Sequence, residues 1–357
     1  MADLKITDAL TGDIIEFDFS TQGAQVAPAP GASVAAKVTS LFFPGCSFIN
    51  YAMPLVAATF DLLQKAGEVD GISVLCCGKI LAYEPEGQLL RDAFEEDLRQ
   101  HLADAGIERM VCACPNCVKA LREALSLDPR TKDIKIEALP EVLATRGYRL
   151  DSQVCARLIK GDADADVLLC THDSCPDREY GQFADGLRVL MPEGLWVDPA
   201  HARKRSICCG SLPRAAGKFE QADKCALLNG QEAKEREADA IVTACMSCTF
   251  QLNMAQPYVQ CVHYLELLFD WRIDWRTVGS WMKLRFLFDE TLGATEAQSD
   301  DRAFAGLGGK PGSDATVADE KARAREGQGC LDAQDAEAAK DVALSNVNVA
   351  TIIEEDR

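Results

Sequence analysis

The sequence has little positive charge and no long apolar run. Lysine and arginine together number 37 against 56 aspartates and glutamates, which gives a net charge of −19 over 357 residues. Because phosphate binding needs a basic face, this balance argues against a nucleic-acid partner and favours an electropositive protein partner. No uninterrupted apolar run reaches the roughly 18 residues of a spanning helix, so we expect no membrane-spanning segment.

The N-terminal residues lack the features of a secretory signal. The segment Met1-Ala2-Asp3-Leu4-Lys5 has no basic start followed by an apolar core. We therefore expect a cytoplasmic protein, with any membrane association made through a partner. In that reducing compartment the 16 cysteines are expected to be metal ligands or redox groups rather than structural disulfides.

Two electron-carrier motifs are also missing. No G-x-G-x-x-G follows a predicted strand, as a flavin or nicotinamide site would need. The spacing C-x-x-C-x-x-C-x-x-x-C-P of bacterial ferredoxins does not occur either. We therefore expect this chain to receive electrons from a ferredoxin-like or flavin-containing partner subunit.

The most informative feature present is a repeat of five cysteines. In each copy a lone cysteine is followed by an adjacent pair in Cys-Cys-Gly and then by a C-x-x-C. Cys175 lies 129 residues after Cys46, Cys208 lies 132 after Cys76, and Cys245 lies 131 after Cys114. Such an internal repeat predicts two related sites. The ten cysteines are Cys46, Cys76, Cys77, Cys114, Cys117, Cys175, Cys208, Cys209, Cys245 and Cys248.

Short apolar runs precede these cysteines and alternate with helical patterns. We predict a hairpin over 4–7 and 14–19 and a linker over 25–31. The predicted strands are 38–43, 71–75, 107–111, 166–169 and 240–243. The predicted helices are 54–66, 85–105, 118–127, 214–238 and 263–269. Alternating strands and helices indicate an α/β fold with parallel sheets, repeated as two Rossmann-like domains. Because such sheets place their sites at the carboxyl ends of strands, the cysteine loops are expected to converge there.

This pattern divides the chain into five regions. We predict an N-terminal appendage and linker, two cysteine-rich domains, an aromatic and locally basic segment that packs on the body or docks a membrane subunit, and a disordered acidic tail. Their bounds are 1–36, 37–150, 151–270, 271–289 and 290–357.

Thiolate ligands select zinc or iron–sulfur clusters. A zinc ion takes four ligands, whereas each site offers five cysteines and two of them are adjacent. The spacing therefore favours iron–sulfur clusters, and a zinc-stabilised interaction module is the less favoured alternative. Gly78 and Gly210 follow the adjacent pairs and allow a tight backbone turn beside bulky sulfur.

The double motif resembles the tandem cysteine-rich CCG domain family over about residues 38 to 270. Its members include the disulfide-cleaving subunit of heterodisulfide reductase and iron–sulfur subunits of glycolate and lactate oxidation systems. The resemblance to the heterodisulfide reductase subunit implies that each five-cysteine set holds one noncubane [4Fe-4S] cluster. It further implies an oxidoreductase subunit that splits a small disulfide into two thiols. The alternative is an electron-transfer subunit of a flavin-dependent hydroxy-acid oxidising complex.

Other residues extend or compete with this assignment. Cys170 competes with Cys175 as the first ligand of the second site, and we prefer Cys175 because His172-Asp173-Ser174-Cys175 with Arg178 resembles the family motif. Candidate catalytic residues are His172, as a proton or hydrogen-bond donor, and Lys79, as a positive charge for an anionic substrate or cluster; Arg178 is a second such charge. Outside the repeat we expect core cysteines at Cys112, Cys155, Cys225 and Cys261 and an incidental one at Cys330.

Overall fold

A computed structural model describes residues 4–18, 23–27, 38–83 and 87–275 of the chain. These residues fall into two compact units, one up to Val142 and one from Leu143 onward.

The chain begins with a small antiparallel sheet. Its strands run in the order β1-β2-β3 and are β1 (Leu4–Thr7), β2 (Ile14–Asp18) and β3 (Gly23–Ala27). The predicted hairpin is confirmed, since β1 pairs antiparallel with β2. The predicted linker is wrong at its start, because β3 pairs with the other edge of β2. A third strand of this kind is held by backbone hydrogen bonds more than by an apolar face. Its sequence therefore gives little indication that it forms a strand.

The first unit is built on a four-stranded parallel sheet in the order β5-β4-β6-β7. Its strands are β4 (Ser40–Phe43), β5 (Gly71–Ile72), β6 (Arg109–Cys112) and β7 (Lys135–Ala138). Its helices are α1 (Cys46–Lys65), α2 (Gly87–Ala105) and α3 (Pro115–Leu125), and α4 (Leu139–Thr145) leads across the unit boundary.

The second unit repeats this plan, because its sheet order β11-β10-β8-β9 matches β7-β6-β4-β5 strand for strand. Its strands are β8 (Leu169–His172), β9 (Trp196–Val197), β10 (Ala240–Thr243) and β11 (Gln260–His263). Its helices are α5 (Ser152–Lys160), α6 (Gln182–Leu190), α7 (Ser211–Ala215), α8 (Phe219–Glu235), α9 (Met246–Ala255) and α10 (Tyr264–Leu268). The predicted fold class, two Rossmann-like α/β domains with parallel sheets, is confirmed.

Several element bounds differ from the sequence prediction. Helix α1 starts at Cys46 and contains Pro54, with a non-helical residue at Ala52 where the helix bends. Proline removes a helical N–H and crowds the preceding turn, so the chain kinks there instead of starting a new helix. The helix predicted over 214–238 is two helices, α7 and α8, separated at Gly217 with its left-handed backbone (φ 75°).

Helix α1 is long and apolar enough to cross a membrane by length and composition. More than half of its most apolar stretch is buried inside the protein. That burial is typical of the core helix of a sheet-based unit, and residues such as Met53 and Val56 are fully buried.

Candidate metal centres

In the first unit, the ends of two parallel strands supply the outer three cysteines. β4 ends at Phe43, and Cys46 opens the next helix. β6 ends at Cys112, after which Cys114 is the N-cap of α3 and Cys117 lies in its first turn. Because parallel strands end at one edge of the sheet, these loops meet there.

The five cysteines of this first set form an unbroken series of thiol contacts. The thiol of Cys76 is hydrogen-bonded to those of Cys46 and Cys77. The thiol of Cys117 is hydrogen-bonded to those of Cys77 and Cys114. The adjacent pair therefore lies in the middle of the series and joins the lone cysteine to the C-x-x-C.

Gly45 allows the lone cysteine to approach the C-x-x-C. Its backbone is left-handed (φ 85°), and a Cβ there would lie 2.9 Å from Cβ of Cys114 and 3.0 Å from Sγ of Cys117. A larger residue would therefore be strained and would push the two loops apart.

The second set repeats the same series of contacts. Sγ of Cys175 lies 3.9 Å from Sγ of Cys208. Cys209 is hydrogen-bonded to Cys208 and Cys248, and Cys248 is also hydrogen-bonded to Cys245. In both units the order is thus lone cysteine, adjacent pair, second and then first cysteine of the C-x-x-C.

Cys170, the rival of Cys175, lies inside the sheet. It is the second residue of β8, its side chain is 1% exposed, and its thiol donates to the carbonyl of Thr171 at 3.7 Å. The structure thus brings Cys175, and not Cys170, to the adjacent pair.

In each set, the pKa of one cysteine of the adjacent pair is lowered. The pKa of Cys77 is held well below that of an ordinary thiol, because the thiols of Cys117 and Cys76 and the N–H of Lys79 donate to its sulfur. The pKa of Cys208 is lowered for the same reason by the thiols of Cys175 and Cys209. Since the thiolate is the metal-binding form, the lowered pKa of these two thiols favours binding of a soft metal.

Backbone amides also point at the sulfurs of the second pair. The N–H of Gly210 donates to Sγ of Cys208 at 3.4 Å, and the N–H of Ser211 donates to Sγ of Cys209 at 3.5 Å. Hydrogen bonds to the sulfurs stabilise negative charge on a bound cluster.

The two candidate cations lie beside the adjacent pairs. Lys79 starts a short 3-10 helix directly after the first Cys-Cys-Gly, and its charge helps to lower the pKa of Cys77. Arg178 donates from Nε to the carbonyl and hydroxyl of Ser206, both at 3.1 Å, and its charge helps to lower the pKa of Cys208.

His172 is buried beside the second set. Its Nδ1 lies 2.9 Å from Oδ1 of Asn229, and burial lowers the pKa of its ring. A ring nitrogen of His172 and the Sγ atoms of Cys209 and Cys248 lie within 4.8 Å of one another. The imidazole therefore belongs to the surroundings of the second set.

The cysteines outside the repeat lie in the core. Cys112, Cys155, Cys225 and Cys261 are all buried, and desolvation raises the pKa of each thiol, to about 12 for Cys155. They are therefore neutral core residues. Cys330 lies outside the described residues.

Only the first five residues of the aromatic segment 271–289 are described. Trp275 is buried and its ring centroid lies 5.8 Å from that of Phe250, so this part packs on the second unit. Residues 276–289, which carry the predicted docking face, and the acidic tail predicted over 290–357 lie outside the described residues.

The sequence analysis assigned no role to several polar residues around the second set. Asp173 and Arg188 form a buried ion pair with N–O distances of 2.8 and 2.7 Å. The hydroxyl of Ser174 lies 3.7 Å from Sγ of Cys248. Asn229 positions His172 across 57 residues of sequence. Asp173 and Ser174 could have been suspected from their place beside Cys175, whereas Asn229 and Arg188 carry no local signal.

The donor chemistry of both sets fits an iron–sulfur group. Each set brings five reduced cysteines into thiol contact, and the cysteines at both adjacent pairs and both C-x-x-C motifs are mostly buried. Soft sulfur donors, supporting amide N–H groups and a glycine-lined approach are what such a group needs from a protein.

Comparison with known proteins agrees with this geometry. Residues 40–122 and 170–253 each match the family model of the CCG cysteine-rich domain. Each matched segment contains one complete five-cysteine set, so the chain carries the domain twice.

Solved structures show only distant likeness. Glutamate racemase from Bacillus anthracis is 10% identical with a TM-score of 0.30, and the match covers 65% of this chain and 78% of the racemase. The glutamate racemase from Aquifex pyrophilus is 13% identical with a TM-score of 0.30, and the match covers 64% of this chain and 80% of that racemase. No curated protein matches the chain significantly. With the CCG cysteine-rich domain present twice, the clustered cysteines indicate an iron–sulfur-type redox protein.

Proposed function

We propose that each five-cysteine set holds one noncubane [4Fe-4S] cluster and that the chain is a disulfide-reducing subunit resembling the disulfide-cleaving subunit of heterodisulfide reductase. The observation that carries this proposal is the unbroken series of contacts among the five thiols of each unit, with the adjacent pair in its middle. The match of both segments to the CCG family supports it.

The ligand count disfavours zinc at either set. A structural zinc ion takes four ligands in a tetrahedron, so one thiol of each series would be left over. A cluster with several irons can use all five sulfurs, including two from adjacent residues. The series in which Cys77 contacts both Cys76 and Cys117 fits a group that extends over more than one metal.

The reaction is R–S–S–R′ + 2 e⁻ + 2 H⁺ → R–SH + R′–SH, and the subunit can also run it in reverse. A cluster bound in each set would supply electrons one at a time. Most of the ten cysteines are buried, and Lys79 and Arg178 place positive charge beside the two adjacent pairs. That charge favours the anionic thiolates formed when the S–S bond breaks.

A cavity of about 410 Å³ in the second unit supports access for a small disulfide. Ser174, Asp177 and Arg178 line it together with Arg203, Lys204 and Arg205. Ser174 also contacts Cys248, so one residue of the cavity wall touches the second set. Concave sites of this size suit small ligands.

Electrons have to come from outside the chain under this proposal. The sequence carries neither a ferredoxin spacing nor a dinucleotide fingerprint. A ferredoxin-like or flavin-containing subunit is the partner that the proposal requires. The net charge of −19 favours a basic docking face on that partner.

The test is iron, sulfide and zinc content of protein purified without oxygen, followed by EPR after oxidation in the presence of small thiols. About eight irons per chain and a paramagnetic signal that changes with the thiol would support two clusters and disulfide chemistry. About four irons without thiol sensitivity would instead support the electron-transfer subunit of a hydroxy-acid oxidising complex. Zinc without iron would overturn the redox proposal.

A further inference from the structure

One buried position near the cysteine sets carries a different ring in each unit. His172 is the last residue of β8 and lies three residues before Cys175. The corresponding residue of the first unit is Phe43, the last residue of β4 and three residues before Cys46. Both side chains are buried, with 4% and 0% exposure. A nitrogen-bearing ring therefore replaces a hydrocarbon ring beside the second set only.

The hydrogen bonds around His172 fix which ring nitrogen carries the proton. The side-chain amide nitrogen of Asn229 donates to the carbonyls of Cys208 and Cys225 at 3.0 and 2.8 Å. Oδ1 of Asn229 is therefore the atom that faces His172, and it can only accept. Nδ1 of His172 donates to it at 2.9 Å, which leaves the lone pair of the neutral ring on Nε2.

Nε2 is buried and has no hydrogen-bond partner among the residues that the structure describes. Its ring lies against the sulfurs of Cys209 and Cys248, within the 4.8 Å group of possible metal donors. Neither sulfur makes a hydrogen bond to Nε2 in the part of the chain that the structure describes, so no neighbouring thiol there satisfies the lone pair. A metal ion can satisfy it, and a buried unpaired acceptor is otherwise unfavourable.

We infer that Nε2 of His172 is a ligand of the metal group bound by the second set. The second set then offers five sulfur donors and one nitrogen donor, whereas the first offers five sulfur donors. Asn229 is its positioning residue, because it fixes the tautomer and the orientation of the ring. This inference rests on the proposed function in so far as the metal is iron in a cluster.

The experiment uses the full chain labelled with ¹⁵N-histidine, and the chain has four histidines in total. Pulsed EPR is recorded on reduced protein in a Cys77→Ser background, so that the second set gives the signal. We expect a strong nitrogen coupling that changes with the isotope. His172→Phe, which copies the residue of the first unit, should abolish the coupling while iron at the second set is retained in whole or in part.

A matched control is His101→Phe, because His101 lies on α2 of the first unit and its ring nitrogen contacts only a helical carbonyl among the contacts described for it. This variant should keep the full coupling. His172→Gln serves as a second variant if His172→Phe does not fold, with circular dichroism as the check. It removes the imidazole and keeps a polar side chain, so it too should lose the coupling.

The outcomes separate this inference from the proposed function. Iron in both sets without histidine coupling, or coupling that survives in His172→Phe, overturns the inference and leaves the proposed function standing. Zinc in place of iron overturns the proposed function. In that case X-ray absorption on the cobalt-substituted protein tests whether His172 binds the metal. A nitrogen neighbour of the metal that disappears in His172→Phe supports the inference, and a coordination shell of sulfur alone overturns it. A chain without any metal overturns both.

Discussion

Gly210 follows the second adjacent pair and has a left-handed backbone, with φ 95°. A Cβ at this position would lie 2.2 Å from the carbonyl oxygen of Ala222, which belongs to the backbone of α8. The loop that carries Cys208 and Cys209 therefore touches a helix at a distance that only glycine allows. At the scale of a single residue, the missing side chain is as important for the site as the sulfurs beside it.

Gly210→Ala should destabilise the protein by about 3 kcal/mol or more, because it adds a steric overlap to the left-handed strain. It should also lower the iron bound by the second set. Gly217→Ala is the matched control, since Gly217 has φ 75° and no atom within 4 Å of the added Cβ. Its cost should be about 1–2 kcal/mol, from backbone strain alone.

Urea unfolding of both variants beside the wild type measures these costs, and iron analysis measures the bound metal. Equal destabilisation by the two substitutions would show that the contact with Ala222 is unimportant.

The ten repeated cysteines could be grouped from the sequence, because ligand types and spacing are local properties. The choice between Cys170 and Cys175 could not be made from spacing alone, since both give a workable interval to Cys208. The structure separates them because β8 ends at His172, which leaves Cys170 inside the sheet and Cys175 in the loop after it. The contact of Asn229 with His172 depends on how α8 packs on β8, which no local pattern encodes.

At the scale of elements, the N-terminal sheet is attached to the loop that leads to the first adjacent pair. Asp8 follows β1 and is fully buried. One carboxylate oxygen accepts from the hydroxyl of Ser73 at 3.1 Å and from the N–H of Val74 at 2.8 Å. The other accepts from the N–H of Leu10 at 2.9 Å. The N-terminal appendage thus holds the segment just before Cys76 in place.

Asp8→Ala should destabilise the protein by about 3 kcal/mol, because it leaves buried donors of two loops unpaired. The first set should then lose iron faster than the second when the protein is exposed to a chelator. Glu16→Gln on β2 is the control, since Glu16 forms an exposed ion pair with Lys5 at 2.6 Å that contributes about 0–1 kcal/mol.

Thermal unfolding and the rate of iron release give both readouts for Asp8→Ala. If Asp8→Ala behaves like Glu16→Gln in both, the N-terminal sheet does not support the first set.

The strands with a continuous apolar run, such as β4 and β10, could be predicted from the sequence, whereas β7 and β11 were missed. β7 reads Lys-Ile-Glu-Ala and β11 reads Gln-Cys-Val-His, so neither has a long apolar run. Both lie at the edge of their sheets, where only one side is hydrogen-bonded and sequence demands are weaker. Edge strands are therefore defined by pairing with a neighbour more than by their own residues.

Glu266 links the end of β11 to α10 and has no solvent exposure. Its carboxylate accepts from the N–H of His263 at 3.2 Å and from that of Ile273 at 3.1 Å. Burial raises its pKa to about 7, although Arg272 lies 3.9 Å away and opposes the shift. Because the folded state holds this proton more tightly than the unfolded state, its contribution to stability is present at low pH and is lost as the pH rises to about 7.

Glu266→Gln should therefore become more stable relative to the wild type as the pH rises, by at most about 3 kcal/mol between pH 4.5 and 7. The comparison with the wild type is needed because the lowered pKa of buried His263, about 4, has the opposite effect and is shared by both chains. Urea unfolding at pH 5 and pH 7.5 measures the difference. A difference that is independent of pH would contradict the prediction.

At the scale of the whole molecule, each five-cysteine set belongs to a single unit. Residues 46 to 117 lie in the first unit and residues 175 to 248 in the second. No cysteine of either set is taken from the other unit. We therefore expect the two sets to bind their metal independently.

Cys77→Ser should remove about half of the iron from the chain, which is the share bound by the first set. Cys77 is in the middle of the first series and contacts both Cys76 and Cys117. The iron of the second set should be unchanged. Cys112→Ala is the control, since Cys112 is fully buried on β6 and stands outside the series. Iron analysis and EPR on both variants test this, and full iron retention in Cys77→Ser would refute the assignment of Cys77 as a ligand.

The two-unit plan also separates the sets in time. A ribosome makes the chain from its N-terminus, so the sulfurs of Cys46 to Cys117 all exist before Cys175 has been added. Domains that are synthesised first generally fold first. The five cysteines of the first set can therefore come together while the cysteines of the second set are still untranslated. We expect this order of synthesis to limit the exchange of cysteines between the two similar sets.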